Sequence, residues 1–172
     1  MSSGLVAAAF ALKYPLVGIP NVEPLTLAFF AVGYAYGAPW GAFVGAAGEA
    51  LYATINPFGP PIVPVWAAQV VSMTIVGMVG GWIGRLDDRG QWSHGRLVVT
   101  AVGAGILITF IFDLLTNLAL AVTIGPFWPV MIAGLPLAGL HIASNALLFL
   151  VVFPILRRWF LHPTSMVEPP SA

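Results

Sequence analysis

The stretch Leu97 to Phe112, LVVTAVGAGILITFIF, carries no charge at all, and Ile142 to Leu156, IASNALLFLVVFPIL, carries none either. Each extends to the roughly 20 apolar residues that cross a hydrocarbon core about 30 Å thick. The rest of the chain has the same character: of 172 residues 59% are hydrophobic and 7% charged, against about a quarter charged in an ordinary soluble domain. A bilayer is the solvent this composition fits. Lipid cannot satisfy free backbone groups, and nothing alternates as the strands of a barrel do, so the expected fold is an all-α integral membrane bundle.

Proline, glycine and the few charges divide the apolar sequence into six pieces. The first runs from about Gly4 to Gly18 and the second from Glu23 to Tyr36, separated by Gly18-Ile19-Pro20-Asn21. Both are short for full spans. Gly37-Ala38-Pro39-Trp40 leads into a third helix that reaches Ile55, with Pro39 suited to a first turn. Asn56-Pro57-Phe58-Gly59-Pro60-Pro61 cannot be helical. A fourth helix is expected over Ile62 to Arg85 and a fifth over Gly95 to Ile124. A sixth is expected from near Pro136 to Phe160, after the Gly125-Pro126-Phe127-Trp128-Pro129 break. The spans make one transmembrane domain, 1–162, and the Pro/Ser-rich 163–172 reads as a disordered tail.

Arginines set orientation. Arg85, Arg89 and Arg96 fall between the fourth and fifth helices, and Arg157 and Arg158 close the sixth. Placing them in the cytoplasm gives six spans with both ends inside. Lys13, in the outer half of the first helix, is the exception. The start, Met1-Ser2-Ser3-Gly4, lacks a basic n-region, so the first apolar segment is expected to be retained.

Counting outward from the arginines at about 1.5 Å per residue gives the depth of the polar residues. Asp113 is 17 residues from Arg96, Gln69 is 16 from Arg85 and His141 is 16 from Arg157. All three lie on the order of 24 to 26 Å from the inner interface, near the outer edge of the core. Asp113 and Asn117 share one face of the fifth helix at i, i+4, as His141 and Asn145 do on the sixth, with Ser144 beside them. Glu49 and Tyr52 come from the third helix, slightly deeper, while Asn21, Glu23 and Asn56 occupy the outer turns. Ionisable groups inside spans cost about 2.5 to 3.5 kcal/mol each on insertion scales. Their gathering at one depth points to an outward-facing polar pocket; the plainer alternative is that they satisfy one another, Asp113 with His141 for example. Trp66 and Phe58 sit close enough to touch a ligand, whereas Trp40, Trp82, Trp92, Trp128 and Trp159 fit an interfacial aromatic belt.

Several chemistries are excluded. Zero net charge and six scattered basic residues leave no footprint for nucleic acid. With no cysteine there is no disulfide or thiolate. A phosphate-binding Gly-x-x-x-x-Gly-Lys-Ser/Thr loop, a His-Glu-x-x-His pair and a Gly-x-Ser-x-Gly elbow are all absent. A single intramembrane histidine falls short of a di-haem or zinc site, so no metal or cofactor is expected. Small residues recur every fourth position at Ala7 and Ala11, at Gly33, Gly37, Gly41 and Gly45, and at Gly77 and Gly81. For the glycines, close packing within the bundle is the favoured reading; the Ala7/Ala11 surface also suits docking to another membrane subunit.

The short six-helix chain, Ala7-x-x-x-Ala11, the Gly37 to Gly41 stretch, the Pro-rich outer turn and the Phe112-Asp113 to Asn117 segment together resemble the S components of energy-coupling factor (ECF) transporters. The resemblance covers Gly4 to Phe160. It implies a non-enzymatic, multi-pass subunit of the cell (inner) membrane that captures a vitamin or related micronutrient at its outer side. It further implies docking through Ala7 and Ala11 onto a transmembrane coupling subunit, with two cytoplasmic ATPases driving a toppling motion. Asn21, Glu23, Asn56, Gln69, Asp113, Asn117, His141 and Asn145 match substrate-contacting positions. Glu49 and Asp113, with amides nearby, would suit a donor-rich or cationic ring compound, of cobalamin or thiamine type as a guess. Two other readings stand beside this one: a structural or cofactor-holding subunit of a respiratory or photosynthetic complex, motivated by His141, and an intramembrane enzyme using Asp113 and His141 as acid and base.

Overall fold

Every described residue that is regular is helical. The computed structural model describes residues 2–16, 18–19, 21–87 and 90–161; Arg89 and the tail 163–172 lie outside them. The helices are α1 (Ser2–Leu16), α2 (Pro24–Tyr36), α3 (Ala38–Ile55), α4 (Val63–Leu86), α5 (His94–Ile124), α6 (Phe127–Val151) and α7 (Phe153–Leu161). Three of them, α4, α5 and α6, are long and apolar enough to cross a membrane. Their outward faces carry Val99, Leu107, Phe110, Val122, Ile132 and Leu147, all exposed. A continuous apolar exterior of this kind is what a lipid environment solvates and water does not.

The breaks fall where proline, glycine and charge place them, with one correction. The sixth helix begins at Phe127 rather than near Pro136, and it ends at Val151 instead of Phe160. Pro129 occupies the third position of α6, where its missing N–H has no intrahelical partner to lose. Pro136 lies inside the helix, as membrane helices tolerate when neighbours accommodate the freed carbonyl. The interruption comes instead at Val152, two residues before Pro154, whose missing N–H cannot continue the ladder from α6 into α7.

α2 sits at the centre. Leu25 through Gly33, nine consecutive residues, are buried, so over this stretch the helix has no outward face. It can be surrounded because its neighbours come unusually close. A Cβ on Gly33 would stand 1.9 Å from Gly77 O, and one on Gly80 2.0 Å from Phe30 O. On α3, a Cβ on Gly41 would be 2.2 Å from Gly77 O and 2.6 Å from Gly33 Cα, and one on Gly45 2.1 Å from Met73 O. The small-residue series is therefore an intramolecular seam at which α2, α3 and α4 meet. Gly37 is the exception in that series. It joins α2 to α3 with φ 94°, a left-handed backbone that glycine adopts without strain.

These contacts also fix direction. Phe30 meets Gly80 and Tyr34 meets Gly84, so α2 and α4 run parallel; Gly41 meets Gly77 and Gly45 meets Met73, so α3 runs against them. Between α5 and α6, Gly105 faces Phe149 and Asn117 faces Gly134, again antiparallel.

At the end of the bundle where α2 and α4 finish, a buried ion pair ties three segments together. Arg157 on α7 donates from Nε to Asp87 Oδ2 (2.8 Å) and from Nη2 to Asp87 Oδ1 (3.0 Å). Its Nη2 also donates to Trp92 O at 3.2 Å. The Trp92 N–H donates to Asp87 Oδ1 at 2.7 Å, and the Tyr34 hydroxyl from α2 donates to Asp87 as well. Burial opposes ionisation of Asp87, but the hydrogen bonds from Arg157, Tyr34 and Trp92 outweigh it and hold the carboxyl below its ordinary value. A carboxylate depressed in the folded state contributes stability above its unfolded pKa and loses it as pH falls through the folded value. The melting temperature of the purified protein is thus expected to drop on acidification below about pH 4. In Asp87→Asn that acid limb should be visibly shallower; an unchanged limb would remove Asp87 as its source.

Candidate functional site

At the opposite end of the bundle, two polar clusters flank the turn that leads into α2. The first belongs to α5 and α6. His141 Nδ1 lies 2.9 Å from Asp113 Oδ1, and the imidazole meets Phe112 edge-on at 5.4 Å between centroids. One turn along, Asn145 Nδ2 donates to Thr109 Oγ1 at 3.0 Å, and the Thr109 hydroxyl donates to Gly105 O at 2.7 Å. The i, i+4 spacing puts Asp113 above Thr109 and His141 above Asn145, so two polar rungs stack along one helix interface.

The second cluster gathers α1, α2 and α3. Lys13 Nζ donates to Val22 O at 3.2 Å and stands 3.4 Å from Glu23 Oε1. The same ammonium lies 5.6 Å from the centre of the Tyr52 ring, which Phe10 meets edge-on. Glu49, one turn before Tyr52 and 2% exposed, is within electrostatic reach of both Glu23 and Lys13. Extending the Gly41/Gly77 and Gly45/Met73 register by one turn sets Gln69 of α4 opposite Glu49.

Asn21 joins the two clusters. Its Nδ2 donates to Leu137 O on α6 (2.9 Å), and its carbonyl accepts from the Ser144 hydroxyl (2.9 Å). Its φ of 58° is the one positive value among described residues other than glycine, a conformation asparagine tolerates better than most. Two residues later comes Glu23, paired with Lys13.

The remaining sequence candidates stand at the margins. Asn56 turns its Oδ1 back to accept from Phe58 N at 2.9 Å, capping its own loop. Phe58 is exposed and Trp66 half-buried. Asn117 is half-buried against the α6 backbone, where a Cβ on Gly134 would be 2.5 Å from its Oδ1. Ala7 and Ala11 are both exposed on α1. Thr109 escaped the sequence reading, although its place four residues before Asp113 was the available signal. Lys13 stood out only as an anomaly of orientation; a buried cation calls for an anionic partner, and Glu23 supplies it.

The two clusters leave polar atoms without hydrogen-bond partners among the described residues: Glu49 Oε2, Gln69 Oε1, Asp113 Oδ2, His141 Nε2 and Asn145 Oδ1, together with Glu23 Oε1, which has only its ion pair with Lys13. Buried polar atoms are ordinarily paired, so each of these atoms calls for a partner beyond the described side chains. Neither a protein-family model, nor a curated protein, nor a solved structure matches the chain.

Proposed function

We propose that the chain crosses the cell (inner) membrane six times with both ends in the cytoplasm, and that it is the substrate-binding S component of an ECF-type importer. It captures a vitamin or related micronutrient at the outer side and delivers it inward with a coupling subunit and two ATPases. The observation that carries this reading is the outer polar layer, in which four helices and the α1–α2 turn contribute buried groups with unpartnered atoms. A purely structural network would pair them, because a half-satisfied polar core costs more than an apolar one. The alternating directions of α2, α3 and α4, and of α5 and α6, support the proposed topology. The exposure of Ala7 and Ala11 on α1 supports a docking face.

The test is binding of radiolabelled vitamins by the purified chain, and their uptake by cells with and without the partner subunits. Failure to bind any vitamin-like compound would sink the proposal. Ala7→Trp and Ala11→Trp are expected to abolish uptake while leaving binding to the isolated chain intact, because bulk on α1 blocks docking without reaching the polar layer. Loss of binding in these variants would remove the docking role.

The unpartnered Nε2 of His141 is the one feature that favours a second reading, a cofactor-holding subunit of a larger membrane complex. An absorption spectrum of the purified protein distinguishes the two, since haem or chlorophyll would colour it.

A further inference from the structure

The Arg157–Asp87 pair builds a platform under a second arginine. Trp92 is fixed through its own backbone: its N–H donates to Asp87 Oδ1 at 2.7 Å, and its carbonyl accepts from Arg157 Nη2 at 3.2 Å. Over the indole ring lies the Arg96 guanidinium, with Cζ 4.2 Å from the ring centre. That contact holds the side chain by its attraction to the π system and uses none of its N–H donors. No acceptor or carboxylate among the described residues takes them. Arg158 follows the buried Arg157 on α7, is exposed, and likewise has no ion pair among the described residues. Two unneutralised arginines, one on α5 and one on α7, thus adjoin the same junction.

The carboxylate nearest to them is already committed, since Asp87 is fully buried against Arg157 and Tyr34. The other described acids, Glu23, Glu49 and Asp113, are buried at the opposite end of the bundle. Histidine aside, the exposed ionisable side chains among the described residues are Arg85, Arg96 and Arg158, all at this end. Apolar surface adjoins the two at the junction. Val99, one turn beyond Arg96, is 75% exposed, and Ile155, one turn before Arg158, is 58% exposed. A soluble anion would meet the arginines and leave that surface bare, whereas an amphiphile covers both.

We propose that this junction binds the headgroup of an anionic phospholipid, with Arg96 and Arg158 donating to its phosphate and its chains lying over Val99 and Ile155. A guanidinium matches phosphate oxygens with paired N–H bonds. A headgroup of net negative charge balances the two arginines, which a zwitterionic one does not. Trp92 is a positioning residue, because it immobilises Arg96 before the lipid arrives. The proposal rests on the membrane placement given above and is independent of the importer reading.

The test takes the full chain in a neutral detergent and titrates it with dioleoyl phosphatidylglycerol or dioleoyl phosphatidylcholine, counting bound lipid by native mass spectrometry. Phosphatidylglycerol is expected to bind about 25-fold tighter, roughly fivefold for each of two arginines. Arg96→Gln and Arg158→Gln should each weaken it about fivefold and leave phosphatidylcholine unchanged. Trp92→Leu keeps the backbone bonds and the charge but removes the ring, and should weaken it about two- to fivefold; if that variant does not fold, the two exposed arginines decide alone. Arg85→Gln lowers the charge of the same end without touching Trp92 and should change binding far less than either. An equal loss in Arg85→Gln, or equal affinity for the two lipids, overturns the proposal, because the arginines would then act as diffuse charge. Displacement of phosphatidylglycerol by millimolar glycerol phosphate also overturns it, since the site would then take a soluble phosphoester. Flotation with vesicles of each lipid separates the deeper failure: a chain recovered with neither loses the membrane placement and the proposal together. One recovered with both, but without a preference in the titration, loses the proposal alone.

Discussion

Asp87→Ala is expected to destabilise the solubilised protein by about 3–5 kcal/mol, the cost of stranding one member of a buried pair. The Arg157 guanidinium would keep its place beside Tyr34 and the Trp92 carbonyl but lose the carboxylate it grips with two nitrogens. Asp87 is fully buried in the folded protein. Arg157→Leu removes the charge together with its need for a partner on that side. Even so, it strands Asp87 in turn and should cost a similar amount. The double variant Asp87→Ala/Arg157→Leu is the informative member. It should be less destabilised than the sum of the singles by about 0.5–3 kcal/mol, because neither leaves an orphaned charge once the other is gone. Denaturant unfolding in detergent, followed by tryptophan fluorescence, measures all three. Additive effects would mean that the pair does not couple α7 to the loop after α4.

The second large effect is steric. In an ordinary exposed helix Gly→Ala gains up to about 1 kcal/mol. At Gly77 the sign is expected to reverse, with a loss at or above the upper end of the 1–3 kcal/mol typical of overpacking. The added methyl would lie 2.0 Å from Gly41 O, against a backbone that cannot rotate out of the way. Both α2 and α3 rest on this point of α4, so relieving the clash means parting two interfaces. Gly103→Ala is the internal control. Nothing lies within 4 Å of that position, and the substitution should be neutral or mildly stabilising. Melting temperatures of the two variants decide the matter. If both behave alike, the glycine seam is not the contact that holds α2 in place.

The helix breaks were legible in the sequence because proline and glycine act locally. Gly37, Asn56 to Pro61 and Gly125 end helices for reasons confined to a few residues. The pairing of Asp113 with His141 was also legible as an alternative, from i, i+4 spacing and common depth. The start of the sixth helix was not, because proline in a first turn and proline in a helix interior look the same until the hydrogen-bond ladder is known. Nor was the Arg157–Asp87 ion pair: the two residues are 70 apart, and each alone reads as an ordinary interfacial charge. The glycines gave the spacing of a close approach but not its partners. Residues that act through contacts distant in sequence cannot be matched by periodicity, and Lys13 with Glu23 shows the same gap over a shorter range.

The sheathing of α2 has a consequence for how the protein is made. Its final wrapping includes α4, whose glycines receive it, yet α4 is synthesised later by the length of α3 and two turns. Until then α2 has no glycine seam to lie in, and lipid or an insertion factor must occupy the faces that will become interior. Assembly of the centre is therefore a replacement of those temporary neighbours by α4. A nascent chain halted before Gly77 would carry its most buried helix without the surface built to enclose it.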